Sequence, residues 1–174
     1  RWPRVSEIPF TSERKRMTTV HRVNIPADDP SDVPWRESPY VAFCKGAVDE
    51  MLTITTAVWS GDQAVPLDDA LRKRITAANN ELAESGQRVL GVAFRPLEAL
   101  PSEVNEGSLE TQMTFIGLAA MIDPPRPEVE AAVDICQAAG IRPVMITGDH
   151  PLTAMRIARD LGITGDDGKI LTGQ

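Results

Sequence analysis

The sequence predicts a mixed α+β unit with a mostly antiparallel sheet and packed helices, followed by an α/β fragment. Three observations predict this. Short runs rich in β-branched and aromatic residues succeed one another in the first part, with a turn cluster between the first two, which is the pattern of a hairpin. After Pro127 the order becomes helix, strand, helix, as in a parallel α/β sheet. Between them lies Asp123-Pro124-Pro125-Arg126-Pro127. Its prolines remove backbone donors, fix φ and push the residues before them toward extended conformations, so no helix or strand runs through. The joint is either a rigid connection or a hinge between two domains that move relative to each other. It leaves residues 1–122 on one side, 123–126 as the connection and 127–174 on the other.

Val5 to Phe10 reads as an edge strand, because Pro9 cannot donate to a central ladder. Thr11-Ser12-Glu13 is a turn, and Arg14 to Val23 is the second strand of the hairpin. Its basic residues Arg14, Lys15 and Arg16 are either charges guarding a solvated edge or a cationic rim beside an anionic ligand. Ile25 to Pro39 carries four prolines and reads as a surface loop. Tyr40 to Cys44 is a buried strand. A helix follows Lys45-Gly46-Ala47, with Val48, Met51, Leu52 and Thr55 on one side, and ends at the turn Ser60-Gly61-Asp62. A second helix begins near Leu67. Its stripe is Leu67, Leu71, Ile75, Ala78 and Leu82, Asp68 and Asp69 suit its first turn, and Gly86 stops it.

Arg88 to Arg95 is a strand, Leu97 to Gln112 a polar loop, and Met113 to Ile122 a strand whose run from Phe115 onward reads as buried. Beyond the joint, Pro127 starts a helix that buries Val129, Ala132, Val133, Cys136 and Ala139 and stops at Gly140. Val144 to Ile146 is a short strand. The last helix starts at Pro151, with Leu152, Met155, Ala158 and Leu161 inside and Gly162 at its end.

A formal net charge of −7 argues against a nucleic-acid binder, which needs a basic footprint. No stretch approaches the ~20 continuous apolar residues of a membrane helix, and no secretory signal opens the chain. Arg1 in place of a starting Met suggests a mature form or an excised piece. Cys44 and Cys136 lie far apart and read as small buried hydrophobes in a reducing compartment, not as a disulfide or metal pair. His21 and His150 have no metal-ligand spacing.

Two turns suit an anion. Gly46 sits at a strand-to-helix junction, where a ligand can approach the backbone and the first helical N–H groups are unpaired. Thr147-Gly148-Asp149 follows the carboxyl end of a strand, and its hydroxyl, glycine N–H and helix start can hold a phosphoryl oxygen. Each has a plainer reading, as a turn and as an N-cap by Asp149. No P-loop, dinucleotide fingerprint or nucleophile elbow is present.

Five segments in order resemble a P-type cation-transporting ATPase, with the bacterial calcium-pump branch the most similar. They are Pro9-Phe10-Thr11-Ser12-Glu13-Arg14-Lys15-Arg16-Met17, Lys45-Gly46-Ala47, Gly86-Gln87-Arg88-Val89-Leu90, Asp123-Pro124-Pro125-Arg126 and Met145-Ile146-Thr147-Gly148-Asp149-His150. The resemblance covers nearly the whole chain. It implies that residues 1–122 are the later part of the ATP-binding (N) domain. By the same likeness 123–126 form the hinge to the phosphorylation (P) domain, and 127–174 are a fragment of that haloacid-dehalogenase-like domain.

The resemblance also implies roles. Phe10 stacks on adenine, and Glu7 upstream faces the base. The stem of Lys45 packs on the purine, and Gly46 leaves it room. Lys15 lies near the phosphates, and Arg88 reaches them or bridges the domains. Thr147, Gly148 and Asp149 form the turn that receives the phosphoryl group. Ser12 replaces an arginine found in relatives, and His150 an asparagine. ATP is then the substrate, with Mg2+ in the parent enzyme. The partners are the rest of the N and P domains, the actuator domain and the transmembrane domain. The chain is expected as a soluble part at the cytoplasmic face of a membrane.

The family's phosphorylated aspartate, in Asp-Lys-Thr-Gly-Thr, and its magnesium-holding Gly-Asp-Gly are missing from this sequence. The chain is therefore expected to be catalytically incomplete. A strand at Val144–Ile146 without a neighbour would leave the last segment poorly ordered or pairing with another copy. Competing readings are a soluble haloacid-dehalogenase-like phosphatase, which lacks its nucleophilic aspartate here, a non-catalytic nucleotide-binding module, and a structural domain without a ligand.

Overall fold

A computed structural model describes residues 2–26, 28–30, 32–122, 125–147, 151–165 and 167–171, with the backbone alone at 151–153. The chain divides into two units, residues 1–79 with 89–119 and residues 80–88 with 120–174.

Among the described residues, seven strands form one sheet: β1 Arg4–Ile8, β2 Arg16–Arg22, β3 Tyr40–Gly46, β4 Thr55–Ser60, β5 Gln63–Pro66, β6 Arg88–Leu97 and β7 Met113–Met121. Their order is β1-β2-β3-β6-β7-β4-β5. The β1–β2, β2–β3, β3–β6 and β4–β5 pairs are antiparallel, and β4–β7 is parallel. The mostly antiparallel α+β sheet and the opening hairpin agree with the sequence. The order also explains why β3 tolerates so little polarity: it is central, and Val41, Ala42 and Cys44 are buried on its two faces.

The stretch after β3 departs from the single helix read there. Helix α1 covers only Val48–Thr53. Thr55 to Ser60 is instead β4, turned by Gly61 at φ 63 into the edge strand β5. Thr55, Thr56, Val58 and Trp59 are β-branched or aromatic, and a parallel partner in β7 lets that preference win. Helix α2, Asp69–Glu84, follows. The Asp68 carboxylate accepts the Leu71 N–H at 2.7 Å, which makes Asp68 its cap. Ile75 is buried in its stripe, Leu67, Leu71, Ala78 and Leu82 are half-buried, and Gly86 at φ 81 ends it as read.

The stretch between β6 and β7 is more than a polar loop. It contains the short helix α3, Glu106–Leu109, held by a reciprocal capping box between Asn105 and Ser108. Leu109 is fully buried with Ile8, Val20, Ala42 and Leu97. A larger core gathers Cys44, Met51, Leu52, Val58, Ile75, Met113 and Phe115. Strand β7 is buried only at its start: Met113 and Phe115 are enclosed, whereas Ile116, Met121 and Ile122 are exposed. Its paired positions with β4 end at Phe115, which explains where cover stops.

The Cys44 thiol donates to Met51 Sδ at 3.5 Å inside this core. Burial pushes it up from 9.0 to about 11, with Thr18 hydrogen bonding and Arg16 and Arg14 pulling down and Glu110 pushing up. Between those values the unfolded chain has lost the proton and the folded chain has kept it. Stability therefore falls as pH rises from about 9 to about 11, by on the order of 2 kcal/mol. Iodoacetamide at pH 8 is expected to label Cys136, which is half-exposed, and spare Cys44. Mass spectrometry showing equal labelling of the folded chain would contradict this.

In the second unit, Pro127 opens helix α4, Pro127–Ala138, with Arg126 as N-cap. Val133 is buried and Val129 and Cys136 are half-buried, whereas Ala132 and Ala139 are exposed, so the buried face is narrower than read. Helix α5 is Pro151–Asp160. Ala158 and Leu161 are buried as expected, Met155 is half-buried, and Gln137 Nε2 donates to the Gly162 carbonyl at 2.8 Å. The side chain of Leu152 lies outside the described residues. The strand read at Val144–Ile146 does not form, and Val144 and Ile146 are exposed. A strand needs a ladder partner, and among the described residues this segment has none.

Candidate functional site

Side chains alternate across a sheet, so register decides which of them meet. Met17 stands opposite Lys45, and Lys45 opposite Val92. Thr19 stands between Glu7 and Phe43, and Phe43 opposite Phe94. These positions share one face of the sheet. A groove of about 500 Å³ lies there, lined by Met17, Thr19, His21, Phe43, Lys45 and Val92, with Arg4 at its rim.

One end of this face is aromatic. Trp2 stacks on Phe43 at 6.4 Å and 10°, and Trp35 meets Phe43 edge-on at 4.9 Å and Phe94 at 5.0 Å. The proline-rich loop delivers Trp35, braced by Arg36 Nη1 donating to the Asp29 carbonyl at 3.0 Å. Seating the ring leaves its enclosed indole N–H without an acceptor among the described residues. His21 Nδ1 is 3.1 Å from the Trp2 carbonyl and Nε2 is 3.1 Å from Thr19 Oγ1. A carbonyl only accepts, so Nδ1 carries the proton of that bond.

Where β2 begins the chain is charged and tightly built, and the side chains of Arg16 and Thr18 alternate to the face opposite Met17 and Thr19. Lys15 has φ 48; its N–H donates to the Thr11 carbonyl at 2.8 Å and its carbonyl accepts from Ala47 N–H at 2.9 Å. Its ammonium is exposed, 3.9 Å from Glu50. Arg14 and Arg16 resemble neither a solvated guard nor a ligand rim. Both are enclosed and bond the buried Glu110 carboxylate at 2.7 Å. Thr18 Oγ1 adds a third bond at 2.9 Å, and Arg14 Nη2 also donates to the Pro9 carbonyl.

Of the residues singled out in the sequence, Lys45 lines the groove and Glu7 stands one strand over, paired through 2.8 Å with Arg4. Phe10 is exposed in the turn between β1 and β2. Gly46 does not open space for a ligand, because a Cβ there would lie 2.5 Å from the Lys15 carbonyl oxygen and 2.7 Å from Arg16 Cα. Arg88 is exposed and belongs to the second unit, as does Thr147, which is also exposed. Gly148, Asp149, Asp123 and Pro124 lie outside the described residues; Pro125 is half-buried and Arg126 exposed. Met17, His21, Phe43 and the two tryptophans were missed. The two-residue spacing of Phe43 and Lys45 was a signal for Phe43, whereas Met17 needed the strand register and nothing local announced Trp35.

Residues 1–128, which hold the sheet and its groove, match the family profile "P-type ATPase, cytoplasmic domain N". The chain belongs to the P-type ATPase family. It is 38% identical over 170 residues to calcium-transporting ATPase 1 of Bacillus cereus, covering 98% of this chain and 18% of that protein. It is 34% identical over 170 residues to a calcium-transporting ATPase of Bacillus subtilis, again 98% and 18%. The alpha subunit of the sodium/potassium-transporting ATPase of Tetronarce californica is 35% identical over 171 residues, 94% of this chain and 16% of that protein. The chain thus spans less than a fifth of the length of these relatives. The family match decides against a free-standing phosphatase.

Proposed function

We propose that this chain is the ATP-binding portion of a cation pump, taking the adenine on the sheet face beside Lys45. The observation that supports this best is the groove itself: an apolar floor of Phe43, Val92 and Met17 with one lysine stem and ammonium set into it. Such a surface suits a purine and an adjoining phosphate. In this reading Phe10 closes over the base, Glu7 faces it, and Lys15 and Arg88 meet the phosphates. Residues 123–126 are the hinge, and residues 127–174 begin the phosphorylation domain, where Thr147, Gly148 and Asp149 receive the transferred group. The acceptor aspartate belongs to the rest of the parent. This chain sits at the cytoplasmic face of a membrane that its parent spans, and the parent moves Ca2+, as the calcium-transporting relatives suggest.

Among the described residues no group of three or more His, Cys, Asp or Glu side chains is placed to hold a metal ion. In this reading Mg2+ arrives with the nucleotide, where it supplies charge neutralisation of the triphosphate. The work of this chain is binding and orientation.

Titration of ATP, with and without Mg2+, followed by amide NMR, is expected to give a Kd of roughly 0.1–1 mM, or about −4 to −5.5 kcal/mol. Shifts should centre on Phe10, Lys15 and Lys45. Phe10→Ala and Lys45→Ala should each weaken binding about tenfold, the loss of about 1.4 kcal/mol. Binding untouched by both substitutions would refute the assignment of the base site.

A further inference from the structure

We propose that Glu110 is a positioning residue for the nucleotide phosphates, acting through Lys15; this rests on the nucleotide reading above. Lys15 is held in the left-handed region, which an L-residue enters only at a cost. Both flanking side chains end on the same carboxylate, Arg14 on Oε1 and Arg16 on Oε2, each at 2.7 Å. Thr18 Oγ1 completes Oε1 at 2.9 Å. Glu110 reaches them from the far side of the chain, at the end of α3, where the Asn105–Ser108 box fixes its backbone. The peptide groups of Lys15 are spent on Thr11 and Ala47. The backbone of residue 15 is thereby held on both sides, and its exposed side chain carries the ammonium out beside Glu50.

The arrangement is costly as a device for stability alone. Enclosed ion pairs are often matched or bettered by apolar side chains of the same volume. What two arginines, each bonded to a different oxygen of one carboxylate, do well is fix a single geometry. Backbone strain held in place by such a network is characteristic of ligand clamps. The strained residue here is the exposed lysine between the two clamped arginines.

The test is a double-mutant cycle in the 174-residue chain. MgATP and adenosine are titrated separately into the wild type, Glu110→Gln, Lys15→Ala and the double variant, with amide spectra reporting the fold. Lys15→Ala should weaken MgATP about tenfold and Glu110→Gln about fivefold, while the double variant should be no weaker than Lys15→Ala. Adenosine, which lacks phosphates, should change less than about twofold in all of them. If Glu110→Gln does not fold, Arg16→Lys replaces it, keeping the charge and losing the Nε bond; the same pattern is expected at about threefold. Equal losses for MgATP and adenosine, or a loss that persists undiminished beside Lys15→Ala, overturn the proposal. So does MgATP binding that ignores Lys15→Ala. A wild-type chain that binds neither ligand overturns the nucleotide reading and this inference with it.

Discussion

Glu110→Ala is expected to destabilise the first unit by roughly 3 kcal/mol, within the 3–5 kcal/mol typical of breaking a buried ion pair on one side. The Glu110 side chain is wholly enclosed, and those of Arg14 and Arg16 are 9% and 11% exposed. Alanine removes the acceptor of three bonds and leaves two guanidinium charges facing a small void. The lower end of the range is expected because two outer carboxylates remain. Glu106 is 3.4 Å from Arg14 and Glu50 is 3.6 Å from Arg16, both with partial access to water. Replacing the whole group at once, Arg14→Met with Arg16→Leu, Thr18→Val and Glu110→Leu, should restore most of the loss, since no unpaired charge is left. Trp2, Trp35 and Trp59 all belong to the first unit, so urea denaturation read by tryptophan fluorescence reports it specifically. A loss below about 0.5 kcal/mol for Glu110→Ala would show that the arginines are solvated and that the clamp is not built as described.

The origin of that network shows what the sequence could and could not convey. Three basic residues in a row near a strand start look like surface, and only Lys15 is. The deciding partner lies 94 and 96 residues away, beyond any local pattern. Its immediate setting was legible in part, because Asn105 followed by Ser108 has the spacing of a capping box, yet the stretch read as a loop. The opening hairpin, β3, β6 and the stripe of α2 were legible because period and turn residues agreed there. Val48 to Trp59 was ambiguous: its apolar spacing suits a helix, its β-branched residues a strand, and pairing with β7 settled the second half. The reverse happened at Val144–Ile146, where propensity favoured a strand and, among the described residues, no partner strand was at hand. On the functional face, the Lys45 motif stood out locally. The aromatic wall behind it depended on a proline loop folding back, which no periodicity encodes.

Gly46→Ala is expected to cost about 3 kcal/mol, the upper end for overpacking, and to disturb Lys15 in the same stroke. The reason is space and not backbone freedom, since the glycines at positive φ are elsewhere. A Cβ at residue 46 would run into Arg16 Cβ and approach the Lys15 carbonyl oxygen to 2.5 Å and Arg16 Cα to 2.7 Å. Two of these three atoms are backbone and cannot rotate away. Relief requires β2 to move off β3 at the Arg16–Gly46 pair, and the Ala47 N–H bond to Lys15 at 2.9 Å would lengthen with it. Gly91→Ala makes the matched comparison on the neighbouring strand. Its Cβ would meet the Phe115 ring at 3.0 Å and Met51 at 3.2 Å, and side chains can yield, so about 1 kcal/mol is expected. The two losses, measured by urea denaturation, should therefore differ by about 2 kcal/mol. MgATP affinity should fall with Gly46→Ala and hold with Gly91→Ala, because only the first moves the residue that presents the ammonium. Equal losses at the two glycines would mean that β2 is free to shift. The left-handed turn at Lys15 would then be a soft feature of the loop, and the clamp on it would lose its purpose.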